Sequence, residues 1–336
     1  MTDDTSNQFK HQGRRALICG VSGQDGAYLA QLLLSRGYEV VGTSRDAQMS
    51  HFANLSRLGI RDRIQLESMA VTDFRSVLQV IRKSVPDEIY NLAGQSSVSL
   101  SFQQPVETLE SIGLGTLNLL EAIRFVERPI RFYNAGSSEC FGDTGGAPGK
   151  ETTPFRPRSP YAVAKATAFW EVANYREAYG LYACSGILYN HESPLRPERF
   201  VTRKVVAAAC RIAAGSDETL RLGNVEVERD WGWAPEYVEA MWRMLQQPAP
   251  DDFVIATGEV NSLASFVEMV FAQVGLHWRD HVQLDPAFLR PTDLARGVGD
   301  PSLAAHKLGW SARYRIGDIV RMMIEGEMPV NSRKLT

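Results

Sequence analysis

The segment Ala16-Leu17-Ile18-Cys19-Gly20-Val21-Ser22-Gly23-Gln24-Asp25-Gly26-Ala27-Tyr28-Leu29 restricts the possible folds of this chain more than any other stretch. Residues 16–19 fit a buried strand. Gly20, Gly23 and Gly26 follow as GxxGxxG, and Leu29, Leu32 and Leu33 then share one face of a helix. A strand that turns through glycines into a helix gathers free backbone N–H groups at the positive helix end, where a pyrophosphate can rest. Further apolar runs at 39–43, 64–66, 88–92, 131–134, 184–188 and 253–256 read as strands, with helices between them that include 107–125 and 160–179. This alternation predicts an α/β fold, a Rossmann-type doubly wound parallel sheet. The stretch 190–247 is richer in Arg, Pro and Trp and reads as part of a smaller, discontinuous α/β lobe. The expected division is a flexible tail at 1–13, a dinucleotide-binding domain at 14–190 and 251–275, and a second lobe at 191–250 and 276–330.

A chain of 336 residues with 44% hydrophobic content can bury a sizeable core. Its net charge of -3 leaves no basic footprint for nucleic acid, so anion binding must rest on local arginines. No apolar run approaches the ~20 residues that span a bilayer, and 1–13 lacks a signal-peptide core, so a cytoplasmic protein without a membrane partner is expected. Cys19, Cys140, Cys184 and Cys210 are scattered without a CxxC pair, which fits reduced thiols and no metal site.

Tyr161 and Lys165 lie one turn apart on one face of the helix at 160–179. A phenol with a free pKa of ~10 is a poor base at neutral pH, and an ammonium beside it favours the phenolate. Ser137 and Glu139 stand two apart at a strand end, where alternate side chains face the same side, so a hydroxyl and a carboxylate can reach one place. After the second strand come Arg45 and Asp46. An arginine there suits the 2′-phosphate of NADP and an acid suits the free 2′-OH of NAD; Arg45 favours NADP.

Together with Asn91-Leu92-Ala93-Gly94, these motifs resemble the extended short-chain dehydrogenase/reductases. Gly23-Gln24-Asp25-Gly26, Ser159-Pro160-Tyr161, Asn190-His191-Glu192-Ser193-Pro194, Phe200-Val201-Thr202-Arg203-Lys204, Arg229-Asp230-Trp231-Gly232 and Ala256-Thr257-Gly258 narrow the resemblance to the GDP-mannose 4,6-dehydratase family, from Arg14 to Met323. The resemblance implies a redox-neutral lyase reaction on a GDP-linked sugar, yielding a 4-keto-6-deoxy product. It makes Ser137, Glu139, Tyr161 and Lys165 catalytic. It assigns Gly20, Gly23, Gln24, Asp25, Gly26, Arg45, Leu92, Ala93, Tyr161, Lys165, His191 and Arg196 to the cofactor, and Ser96, Asn190, Lys204, Arg229 and Arg290 to the substrate. A homodimer or homotetramer is also implied. The chain departs from the family pattern at Ala70, Gly136, Ser137 and Cys140-Phe141. Changes adjoining the expected sugar site leave GDP-mannose and GDP-D-glycero-D-manno-heptose open as substrates. A GDP-4-keto-6-deoxymannose reductase and a non-catalytic nucleotide-sugar-binding regulator are the rival readings.

Overall fold

The computed structural model describes residues 13–327. The tail expected at 1–13 lies, Gly13 excepted, outside the described residues, as do 328–330 of the expected second lobe. The chain divides into two compact units, one of residues up to Cys140 with Pro157–Ile187 and Val238–Phe253, the other of Phe141–Arg156, Leu188–Tyr237 and residues from Val254 onward.

The large sheet contains β1 (Arg15–Cys19), β2 (Glu39–Ser44), β3 (Gln65–Ser68), β4 (Glu88–Asn91), β5 (Arg131–Ala135) and β6 (Ala183–Leu188). With Phe253–Ile255 at one edge, the strand order is Phe253–Ile255, β6, β5, β4, β1, β2, β3. The neighbouring pairs from β6 to β3 are parallel. The winding reverses between β1 and β4, and in such sheets ligands bind beyond the carboxyl ends of the strands at that reversal. Leu17, Cys19, Val41, Ile89 and Phe132 bury one sheet face against Val77, Ile81, Leu119, Ile123 and Val172. Each fully buried side chain of this size stabilises the unit by roughly 1.5–3 kcal/mol. Asn91, Asn134 and Ser185 form a buried polar row across β4, β5 and β6, the Asn91 amide donating to Asn134 Oδ1 at 3.2 Å and that of Asn134 to Ser185 Oγ at 3.4 Å.

Helix Pro160–Tyr179 begins with the Ser159 hydroxyl accepting from Ala162 N, continues with proline in its first turn, and ends at Gly180 in the left-handed region. The helix expected over 107–125 is not one uninterrupted α-helix. Pro105–Leu109 and Gly115–Val126 are joined by a π-turn at Glu110–Leu114. The Thr116 hydroxyl donates to the Ile112 carbonyl at 2.7 Å, and a Cβ on Gly94 would stand 2.9 Å from the Ile112 side chain. The wider turn thus aims Ile112 inward, where it packs with Ala164 and Ala168.

The second unit pairs short strands. Asn190–Glu192 runs parallel to Trp231–Trp233, Glu228–Arg229 lies between Asn261–Ser262 and Arg296–Gly297, and Leu220–Leu222 pairs with Val282–Leu284. Val205, Val206, Phe266, Phe271 and Met323 are central to its core. Buried Asp230 binds this unit together. Its carboxylate accepts from Thr257 N (2.9 Å), Thr257 Oγ1 (2.7 Å) and Gly258 N (2.9 Å).

Candidate active site

The glycine loop is built for close backbone approach. Gly20 sits at φ 85°, and a Cβ there would meet the Leu92 carbonyl oxygen at 2.9 Å and Ala93 N at 3.0 Å. A Cβ on Gly26 would stand 2.4 Å from the Gly20 carbonyl oxygen. Gly20, Gly26, Leu92 and Ala93 are thereby brought together at the carboxyl ends of β1 and β4. Helix Gln24–Ser35 starts at Gly23 without a side-chain cap, and a helix N-terminus is where a phosphate can accept from backbone N–H groups. Gln24 is buried and its amide donates to the Asp25 carboxylate at 2.9 Å. This cradle fits a dinucleotide pyrophosphate. Arg45 projects from the end of β2, 84% exposed, with Glu107 3.5 Å away. The Asp46 carboxylate turns back on its own loop and accepts from Gln48 N and Met49 N, both at 3.0 Å.

Ser137 and Glu139 flank the start of a short 3-10 turn, Ser138–Phe141, just after β5. The Ser137 hydroxyl accepts from Glu139 N at 3.3 Å, so the turn orders itself locally. Two contacts join this region to the first turns of helix Pro160–Tyr179. The Lys165 ammonium donates to the Ala135 carbonyl at 2.7 Å, and the Cys140 thiol lies 3.6 Å from the Ala162 carbonyl. Lys165 Nζ is 5.9 Å from the centroid of the Tyr161 ring. Burial pushes the Lys165 ammonium down to about 8, with Cys140 and Asp25 acting in the opposite direction. A lysine so placed holds its proton loosely and passes it readily. Ser96 lies exposed in the segment that follows β4.

Three departures from the family pattern have packing causes. A Cβ on Gly136 would stand 2.8 Å from the Gly186 carbonyl oxygen, so β5 and β6 could not approach there with a larger residue. Cys140 and Phe141 are both buried, and burial pushes the Cys140 thiol up to about 12. Close packing thus accounts for Gly136, and the side chains of Cys140 and Phe141 contribute to the interior beside Ser137 and Glu139.

In the second unit, His191 Nδ1 is 2.7 Å from the Tyr189 carbonyl and its ring stacks on Tyr237 at 4.6 Å. Arg196 Nε lies 3.1 Å from buried Glu192, and its Nη1 donates to the His191 carbonyl at 3.2 Å. Asn190 faces Trp231 in the strand register, which carries it to the Arg229-Asp230-Trp231-Gly232 motif. Arg229 and Arg290 converge on Asp293 Oδ1, at 2.8 and 3.5 Å. Lys204 makes other contacts: its ammonium donates to the Arg221 carbonyl at 2.6 Å and lies 4.3 Å from the centroid of the Phe288 ring. Sequence reading passed over Asp293 and Phe288. The only trace of the first is the spacing Arg290-x-x-Asp293, which carries no weight outside a helix. Among the described residues, no group of three or more His, Cys, Asp or Glu is placed to hold a metal, and no helix is long and apolar enough to cross a membrane.

A model of the GDP-mannose 4,6 dehydratase family matches residues 17–323. GDP-mannose 4,6 dehydratase 1 of Arabidopsis thaliana is 45% identical over 329 residues, which cover 95% of this chain and 91% of the relative. GDP-mannose 4,6-dehydratase of Vibrio cholerae is 41% identical, with 95% of each chain covered. Among solved structures, Thermus thermophilus UDP-glucose 4-epimerase in complex with NAD superposes with a TM-score of 0.81 at 27% identity, covering 93% of this chain and 98% of that one. Bacillus anthracis dTDP-glucose 4,6-dehydratase in complex with NAD gives 0.81 at 18% identity, covering 94% and 96%, a likeness of fold.

Proposed function

Because this chain belongs to the GDP-mannose 4,6-dehydratase family, we propose that it is a hydro-lyase converting GDP-mannose to its 4-keto-6-deoxy derivative with Ser137, Glu139, Tyr161 and Lys165 as its catalytic groups. The observation that carries the residue assignment is the 2.7 Å bond from Lys165 to the Ala135 carbonyl, because it ties the Tyr161 turn to the strand end bearing Ser137 and Glu139. Tyr161 Oη takes the proton of the C4 hydroxyl. Lys165 stabilises the Tyr161 phenolate that serves as this base, and Ser137 Oγ donates to the developing C4 ketone oxygen. A nicotinamide dinucleotide held at Gly20, Gly26, Leu92 and Ala93 would supply the redox chemistry, a temporary store for the hydride that leaves C4 and is needed at C6. The C4 ketone acidifies the C5 proton, which Glu139 removes; the same carboxyl group then protonates the leaving C6 hydroxyl, and water departs, after which C5 takes up one proton that balances the one Tyr161 took from the C4 hydroxyl. Proton transfer by a placed side chain contributes roughly 10²–10⁴-fold.

NADP is the dinucleotide this reading favours, since Asp46 is occupied by its own loop while Arg45 stands exposed beyond β2. Arg229 and Arg290 offer guanidinium groups to the diphosphate. Mannose is preferred to the heptose, because the relatives 45% and 41% identical to this chain are named for GDP-mannose. Val163 and Trp170 on helix Pro160–Tyr179 and Leu109 and Leu114 on the neighbouring helical run are exposed, an apolar face that a second copy covers in a homodimer. Buried free thiols fit a reducing, cytoplasmic setting.

The test follows GDP-mannose by NMR. The 4-keto-6-deoxy product should form without added hydride donor. Glu139→Gln should still exchange hydride at C4 but release no water, with turnover reduced roughly 10²-fold or more. Normal turnover by that variant sinks the assignment of Glu139, and a requirement for stoichiometric NADPH with a 4-keto substrate sinks the dehydratase reading.

A further inference from the structure

The π-turn at Glu110–Leu114 packs against helix Pro160–Tyr179 and meets the segment that follows β4. A π-turn holds one residue more than the α-helical repeat, which rotates the side chains beyond it by about 100°, and its hydrogen bonds are poorer, so neighbouring groups must hold it. Three ties do so here. The Asn91 amide, at the end of β4, donates to Thr116 Oγ1 at 3.1 Å, and that hydroxyl donates to the Ile112 carbonyl at 2.7 Å. Gln95 N donates to Ser111 Oγ at 3.2 Å, while the Ser111 hydroxyl donates to the Thr108 carbonyl at 3.4 Å. Gly94, at φ 120°, lets the backbones pass so closely that a Cβ would stand 2.9 Å from Ile112 Cγ1 and 3.3 Å from the Ser111 carbonyl oxygen. The side chain that these ties deliver is Ile112, 2% exposed. It forms a buried trio with Ala164 and Ala168, and Tyr161 packs against that trio. Ala164 and Ala168 belong to the helix of Tyr161 itself and offer only methyl groups. Ile112 is the member with bulk, and it comes from another element.

On the premise that Tyr161 is the base of the GDP-sugar dehydration, we propose that Ile112 is a positioning residue, the wall that sets the Tyr161 ring, and that the π-turn is the device that sets the wall. The helix already fixes the backbone of Tyr161. What remains free is rotation about its side-chain torsions, and a phenol carried about 1 Å from the C4 hydroxyl loses roughly 10²-fold in rate. Isoleucine suits the task, because branching at Cβ leaves it one strongly preferred rotamer in a helix and the wall itself does not swing. The same turn serves a second group. Through Ser111 it fixes Gln95 N, and with it the backbone leading to Ser96, which the family resemblance assigns to the substrate. Base and substrate segment thus share one support, with Ile112 on the side of the chemistry and Ser111 on the side of binding.

Steady-state kinetics with GDP-mannose and the calorimetric Kd of GDP, measured on the dinucleotide-loaded full chain, test this. Ile112→Ala should lower kcat roughly 10- to 100-fold at nearly unchanged KM and GDP Kd, and Ile112→Val, which keeps the branch at Cβ, should recover most of the loss. Ile112→Leu conserves core volume and serves where the alanine variant does not fold; moving the branch to Cγ should lower kcat to a smaller extent at unchanged KM. Leu119→Ala opens a cavity in the core beside the same helical run and should lower the melting temperature while leaving kcat alone. Ser111→Ala should raise KM roughly two- to tenfold at nearly unchanged kcat. Wild-type kcat in Ile112→Ala, or in Ile112→Leu if alanine does not fold, overturns the proposal. So does an equal loss of kcat in Leu119→Ala, which would mean general loosening, or no recovery in Ile112→Val. A wild-type chain that does not turn over GDP-mannose removes the dehydratase reading and this proposal with it, whereas normal wild-type turnover with an indifferent Ile112 removes the proposal alone.

Discussion

Replacing Lys165 by methionine should abolish turnover and make the protein more stable, and the size of the gain follows from where the ammonium sits. Burial lowers its pKa from 10.5 to about 8, a fall that corresponds to about 3 kcal/mol. The sign is set by which state holds the proton. Because the folded pKa lies below the unfolded one, the unfolded chain binds more protons between those values, and stability rises with pH across that window. Below pH 8 the cost of the buried charge is present in full. Methionine fills a similar volume without charge but cannot donate to the Ala135 carbonyl, a loss of about 1 kcal/mol. Lys165→Met should therefore gain about 2 kcal/mol at pH 7, and the gain should vanish near pH 10, where the wild-type lysine is already neutral. Urea unfolding of dinucleotide-free protein at a series of pH values measures this. A variant less stable than wild type at pH 7, or a difference that stays flat with pH, refutes the reasoning. Turnover should fall roughly 10²-fold or more in the same variant.

Gly26→Ala would force a methyl group to 2.4 Å from the Gly20 carbonyl oxygen; overpacking of this kind costs about 1–3 kcal/mol, and dinucleotide titration should show weakened binding with a lower melting temperature. Arg45→Gln should weaken NADP roughly tenfold or more while leaving NAD nearly unchanged, as expected for loss of one charge-assisted contact to a 2′-phosphate; equal binding of both dinucleotides by the wild type would contradict it. Asp293→Asn removes the counter-ion shared by Arg229 and Arg290 and should raise the Kd for GDP roughly tenfold through misplacement of the two guanidinium groups, an effect that calorimetry should find reduced when Arg290 is already Gln.

The dinucleotide fold and the candidate catalytic residues were legible in the chain because each rests on short-range chemistry. GxxGxxG between an apolar run and a helix admits few backbones, Tyr161 and Lys165 share a face by helical period, and Ser137 and Glu139 share a side by the alternation of a strand end. The π-turn at Glu110–Leu114 escaped sequence reading because its partner, Gly94, lies on another element and no local pattern announces it. The close approach of the Gly186 carbonyl to Gly136 across the sheet likewise has no local sequence signal. The convergence of Arg229 with Arg290 on Asp293, and of Lys204 with Phe288, joins residues more than 60 positions apart. Sequence spacing encodes periodicity along one element, so by itself it determined the strand-turn-helix and which side chains could share a face as candidate catalytic groups. Which distant side chains meet depends on how separate elements pack, and only the tertiary structure decided the neighbours of Gly136 and the partners of the substrate-lobe cations.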